Sequence, residues 1–177
     1  GYVVHTIFYK DFNSIHPTPT TPTELELLRR EVEEARPVLV GLSVMSSMYL
    51  DTVHQVMDAL RSLPYPLVCG GAYATMFPQP LLERGARFVL RCDGERTMVR
   101  LAHALDRGGD WRDIPSLCYL EAGQLRCNPI GDLEADVDRY GLPAVRCRDA
   151  CFIDRDTLVR GDPQLSTRSY EVIASRG

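Results

Sequence analysis

Apolar residues along this chain alternate between short continuous runs and stretches with helical spacing. Tyr2 to Phe12 (YVVHTIFYKDF) is rich in β-branched and aromatic residues and predicts a strand. A loop holding Pro17, Pro19 and Pro22 follows. Thr23 then reads as the cap of a helix running to about Ala35, with Glu24 and Glu26 in its first turn. Val38 to Met45 (VLVGLSVM) is almost continuously apolar, as in a strand covered on both faces. From Tyr49 to Leu63 the residues Leu50, Val53, Val56, Met57, Leu60 and Leu63 recur at intervals of three and four, which predicts an amphipathic helix. Leu67-Val68-Cys69 is a short strand ended by Gly70-Gly71. A short helix is expected over Gln79–Arg84, a strand over Phe88–Leu90, and a helix over Glu95–Leu105 with Met98, Leu101, Ala102 and Leu105 inward.

Strands that alternate with helices at this spacing imply a parallel sheet. After Gly108-Gly109 the pattern changes. Ser116–Leu120 and Gln124–Cys127 flank Ala122-Gly123 and predict a β-hairpin. From Asn128 onward Asp, Pro and Gly accumulate, so 129–166 reads as an extended linker or wrap-around segment before a candidate strand at Tyr170–Ala174. The expected fold is therefore an open α/β parallel sheet with helices on both faces, flavodoxin-like or Rossmann-like, plus a C-terminal β-hairpin and an extended linker. The expected division is 1–110 for the α/β domain, 111–128 for the hairpin and 129–177 for the linker.

A chain of 177 residues holds one domain with a proper core. Its net charge is −4, its only lysine is Lys10, and its arginines are scattered, so nucleic acid is not an expected partner. No apolar run approaches the ~18 residues of a membrane span, and no signal peptide opens the chain. The sequence begins at Gly1 without Met, which suggests a trimmed start. Cysteines stand at 69, 92, 118, 127, 147 and 151 with no CxxC and no zinc-type spacing. They read as thiols in a reducing, cytoplasmic setting. Cys147 and Cys151 read as unrelated thiols, and His5, His16 and His54 belong to no ligand motif. No metal ligand or catalytic residue is assigned.

Ligands of an open parallel sheet bind beyond the carboxyl ends of its strands. Three such ends carry suggestive chemistry: Ser43-Val-Met-Ser46-Ser47, Gly70-Gly71-Ala72, and Cys92-Asp93-Gly94-Glu95. Missing side chains at paired glycines let a ligand approach the backbone. Asp93 and Glu95 read as helix caps.

These stretches resemble, in order, the cobalamin-dependent radical S-adenosylmethionine family. Ser43-x-Met45, 24 intervening residues and Gly70-Gly71 are similar to the Ser-x-Leu…Gly-Gly pair of cobalamin-binding domains. Cys69 to Pro78 (CGGAYATMFP) resembles the family's GG-x-H-x-T-x-x-P stretch, with Tyr73 in place of His. Arg91-Cys-Asp-Gly-Glu95 resembles R-G-E-G-E, and Ile114-Pro-Ser-Leu-Cys-Tyr with Gly123 and Asn128-Pro129 resembles IPGLAYR…G…NP. Gly131 to Pro143 is similar to the following linker, and Ile173–Gly177 to the residues before CxxxCxxC. Anaerobic magnesium-protoporphyrin ester cyclases and many methyltransferases share this layout.

The resemblance implies a cobalamin-binding domain. Ser43 and Ser46 would lie near the cofactor's tail, Gly70, Gly71 and Ala72 along its channel, and Thr75 near the corrin edge. Asp-x-His-x-x-Gly, which supplies an axial imidazole in classical carriers, is not present, so the implied cobalamin has its base displaced and no protein His on cobalt. S-adenosylmethionine and a four-iron four-sulfur cluster would belong to a downstream radical barrel, the implied partner, so this chain would not catalyse alone. Tyr2–Phe12 would be the family's second strand, with the first strand absent. A second reading keeps the fold as a degenerate scaffold or interaction module, consistent with Tyr73 and Met45. A receiver or dinucleotide-binding domain is disfavoured, because Lys10 is misplaced for the first and G-x-G-x-x-G is absent for the second.

Overall fold

In a computed structural model, residues 2–10, 18–132, 136, 139 and 149–161 are described. The chain divides into two compact units, residues 29–137 and residues 1–28 with 138–177.

The larger unit is built on five strands: β2 (Val40–Ser43), β3 (Leu67–Gly70), β4 (Phe88–Leu90), β5 (Leu117–Glu121) and β6 (Gln124–Cys127), side by side in that order. The first three are parallel, β4 meets β5 antiparallel, and β5–β6 is a hairpin. The hairpin therefore widens the main sheet. Ala122 and Gly123 both adopt positive φ, the geometry of a two-residue turn matched to strand twist. Between the strands run α2 (Leu50–Leu60), α3 (Ala72–Met76), α4 (Pro78–Glu83) and α5 (Glu95–Arg107). No helix among the described residues is long and apolar enough to cross a membrane.

Strand alternation sorts the core. Val68, Phe88, Leu90, Leu117 and Tyr119 share one face and pack with Leu101 of α5, with Met98, Leu105 and Trp111 at the margin. Cys69, Val89 and Cys118 form the neighbouring row on the opposite face, and α3 and α4 contact the central strands. Leu81 and Leu82 of α4 and Val53, Val56, Met57 and Leu60 of α2 are buried. Burying a Leu or Val side chain is worth about 1.5–3 kcal/mol, so these apolar stripes hold the helices in place. The fold is the expected α/β sheet with helices on both faces.

The smaller unit corrects two expectations. The N-terminal strand is shorter than Tyr2–Phe12, running as β1 (Thr6–Tyr9), and it does not join the main sheet. It pairs parallel with β7 (Ala150–Asp154), which forms a hairpin with β8 (Thr157–Arg160). Those strands lie where an extended linker was expected. Their alternation is short but real: Ala150, Cys151 and Ile153 are buried, and Arg155-Asp156 turn at positive φ. The candidate strand Tyr170–Ala174 and the Ile173–Gly177 stretch lie outside the described residues.

Helix α1 (Pro22–Ala35) is capped by Thr21, two residues before the expected cap. Thr21 and Glu24 form a reciprocal capping box. Glu24 N donates to Thr21 Oγ1 at 3.2 Å and Thr21 N donates to Glu24 Oε2 at 2.9 Å, with Pro22 at the first helical position. Glu24 is fully buried because Lys10 neutralises it. The Lys10 ammonium donates to Glu24 Oε1 at 2.7 Å, Thr18 Oγ1 at 2.7 Å and Pro19 O at 3.1 Å, and stands 3.2 Å from Asp154 Oδ1.

Cys118 and Cys127, expected as thiols, are a disulfide. They are register partners in the β5–β6 hairpin with α-carbons 4.2 Å apart, so their side chains meet on one face.

Candidate functional site

The carboxyl ends of β2, β3 and β4 form the edge where small residues and hydroxyls gather. Two backbone bonds tie this edge together. Val44 N donates to Gly70 O at 2.7 Å, and Tyr73 N donates to Val44 O at 3.1 Å. Between them Gly71 caps α3 with φ 104°, a conformation that side chains disfavour. A β-carbon at Gly71 would stand 2.8 Å from Val44 O and 3.0 Å from Met45 Sδ, so glycine is what lets α3 start so close to the β2 end.

Gly70 has the opposite character. A β-carbon there would meet nothing within 4 Å. Its register partner is Ser43, and by alternation Ser43 and Gly70 lie on the sheet face that α5 packs against, as do Gly41 and Val68. Gly41 and Ser43 are exposed. The result is a floor of small residues at the sheet's carboxyl edge, with one exposed hydroxyl beside an open backbone. A long, partly apolar tail needs such a path, with few polar groups to orient it.

The other expected residues lie at the same edge with differing roles. Ala72 opens α3 and is exposed. Ser46 Oγ accepts from Met48 N at 3.2 Å, capping the single 3-10 turn over Ser47–Tyr49. Thr75 Oγ1 accepts from Cys92 N at 3.0 Å and so ties α3 to the end of β4. Both hydroxyls keep a proton to donate. Neither Asp93 nor Glu95 is the N-cap of α5: Gly94 holds that position and no side chain caps it, while Glu95 stands in the first turn of the helix.

Several features of this edge were not anticipated. Met45, Met48, Met76 and Phe77 are exposed at 63%, 80%, 70% and 52%, giving it a soft, apolar rim. Tyr73 and Phe77 rings lie 5.1 Å apart. Cys92 adopts φ 59° at the position where the resembling motif has glycine. Arg91 is held by the hairpin, its Nη2 donating to Asn128 O at 2.5 Å. Cys69 is buried behind the edge, and burial pushes its thiol up from 9.0 to about 12, so it remains protonated and inert at neutral pH. His54 and His103 lie on α2 and α5. The chemistry present suits holding a ligand.

No protein-family model matches the chain. It is 27% identical over 117 residues to an uncharacterized methyltransferase of Pyrococcus horikoshii, covering 64% of this chain and 25% of that protein. This chain thus spans about a quarter of that relative's length. Its fold is similar to the radical S-adenosylmethionine methyltransferase TsrM from Kitasatospora setae, solved with cobalamin and a four-iron four-sulfur cluster bound. That match has a TM-score of 0.52 and 19% identity, over 75% of this chain and 30% of TsrM. It is also similar to the cobalamin-dependent S-adenosylmethionine radical enzyme OxsB, solved with aqua-cobalamin and S-adenosylmethionine, at a TM-score of 0.55 and 17% identity, over 63% of this chain and 16% of OxsB. The α/β architecture described above is one that this chain shares with segments of cobalamin-dependent radical enzymes.

Proposed function

We propose that this chain is the cobalamin-binding part of a radical S-adenosylmethionine enzyme, of the methyltransferase or cyclase class. The observation that carries the reading is the Ser43–Gly70 pair, an exposed hydroxyl register-matched to a backbone with open space above it. Cobalamin, when bound, supplies the organometallic chemistry, and the protein supplies position and surroundings.

The residues present fit that group. Ser43 offers a hydroxyl to the buried base of the tail. Gly70 leaves the channel open, while Gly71 and Ala72 bring the α3 backbone to its wall. Ser46 and Thr75 donate their remaining protons at the rim. Met45 and Met76 present apolar, polarizable surface suited to a flat macrocycle. No histidine of this chain is assigned to cobalt, and the base is read as displaced. The radical barrel, S-adenosylmethionine and the iron–sulfur cluster belong to the rest of the parent protein in this reading.

One observation favours the rival scaffold reading: Ser46 and Thr75 already serve local backbone bonds. The two readings separate in one experiment. The purified chain is incubated with hydroxocobalamin, desalted, and scanned for co-eluting corrinoid absorbance. Retention by the native chain with loss in Gly70→Leu, shown to be folded by circular dichroism, supports binding. No retained corrinoid in the folded native chain rejects it.

A further inference from the structure

The smaller unit brings together three side chains that no motif connects. β1 and β7 pair in parallel with Thr6 opposite Ala150 and Ile7 opposite Cys151, so His5 lies level with Asp149. Asp149 and Cys151 are two residues apart on one strand line and share a face. His5 is placed between them. Its Nδ1 lies 2.8 Å from Asp149 Oδ1, and its Nε2 lies 3.9 Å from Cys151 Sγ. The Cys151 side chain is buried, while the side chains of His5 and Asp149 are 17% and 57% exposed.

We propose that Cys151 and His5 are ligands of a divalent transition-metal site of the zinc type, with Asp149 as the residue that positions the imidazole. A carboxylate on Nδ1 fixes the proton there and leaves the Nε2 lone pair aimed at the thiol. That is the tautomer and the outer partner that metal-bound histidines have. The spacing agrees. With Zn–S about 2.3 Å and Zn–N about 2.0–2.1 Å, the two donor atoms stand about 3.6 Å apart in a tetrahedral shell and about 4.4 Å apart at the linear limit. The observed 3.9 Å lies between these values, so one ion reaches both donors without a backbone shift. Binding releases the thiol proton to solvent as the sulfur becomes a thiolate ligand, so affinity rises with pH. A nucleophilic Cys-His-Asp array is the weaker reading, because a fully buried thiol meets no bulky electrophile, whereas a bare ion is small enough to enter.

The test uses Co²⁺ as the probe. The chelator-treated chain is titrated with Co²⁺ and followed for thiolate-to-cobalt charge-transfer absorbance, and Zn²⁺ is then added to displace it. The band is expected in the native chain and in Cys92→Ser, and absent in Cys151→Ser. His5→Gln should abolish or blue-shift it, and Asp149→Asn should weaken Co²⁺ binding about 10–100-fold. Circular dichroism establishes that each variant is folded. No band in the folded native chain overturns the proposal, as does a band that survives in folded Cys151→Ser.

Discussion

Gly71 is seated so closely on Val44 that a β-carbon would stand 2.8 Å from the Val44 carbonyl oxygen, inside any ordinary contact distance. The adjacent Gly70 carries no such constraint. The two glycines therefore do different work: one permits the backbone path, and the other leaves a space unfilled.

Substituting them should separate those roles. Gly71→Ala combines a strained positive φ with a backbone clash and is expected to cost about 2–4 kcal/mol. Gly70→Ala is expected to stay within about 1 kcal/mol of the native chain, because a strand tolerates alanine at least as well as glycine. Urea denaturation of the two variants measures the contrast, and equal losses would contradict it.

The Lys10–Glu24 pair makes a second contrast. Both partners are buried, and each is compensated chiefly by the other. Lys10→Met strands a carboxylate in the interior and should cost about 3–5 kcal/mol. Adding Glu24→Gln to that variant removes the stranded charge while keeping an oxygen for Thr21 N. The double variant should therefore be more stable than Lys10→Met alone. A double-mutant cycle in urea measures this coupling.

Alkaline pH should weaken the larger unit through Cys69. Its folded thiol titrates at about 12 against an ordinary 9.0. Below the unfolded value both states hold the proton, and stability is unaffected. Above it the unfolded chain loses a proton that the folded chain keeps, so stability falls from about pH 9 until the folded group also ionises near 12. Melting temperatures across this range should fall less steeply in Cys69→Val than in the native chain. In the folded protein a thiol alkylator should modify exposed Cys92 long before Cys69, which peptide mapping reads directly.

The Cys118–Cys127 bond closes a loop with a sequence separation of 9. Such a small loop limits the entropic stabilisation to about 2–3 kcal/mol. Cys127→Ser should lose an amount of that order, and reductant should lower the native chain to the level of the variant without further effect on the variant itself.

Much of the fold was legible because its elements carry their own period. The three-and-four spacing of α2 and the Ala122-Gly123 turn each mapped to the expected element, whereas the apolar run at Val38–Met45 gave a shorter strand, Val40–Ser43, that is half-exposed rather than covered on both faces. A two-residue turn there also places Cys118 opposite Cys127 by counting outward, so the disulfide was implicit in the hairpin itself. The second sheet was not legible. Ala150–Asp154 and Thr157–Arg160 are each four or five residues long, too short for alternation to stand out. The parallel partner of Ala150–Asp154 lies some 140 residues earlier in the chain, at Thr6–Tyr9. The Cys151–His5–Asp149 group depends on that same long-range pairing, which no local spacing encodes. At the candidate edge, the glycines and Ser43 could be found from their order along the chain. That Gly94 rather than Asp93 caps α5, and that Ser46 and Thr75 bond local amides, depends on loop geometry that composition leaves open.

The Ser43–Gly70 floor joins two strands of unequal standing. Gly70 belongs to β3, bonded on both sides, whereas Ser43 belongs to β2, whose only strand partner among the described residues is β3. Amide exchange should accordingly be faster along Val40–Ser43 than along Leu67–Gly70. Among the described residues, one side of the floor is thus flanked by strands on both sides and the other on one side only. On the proposed reading, a guest seated on the floor would displace β2 before it disturbed the helices that pack on β3 and β4.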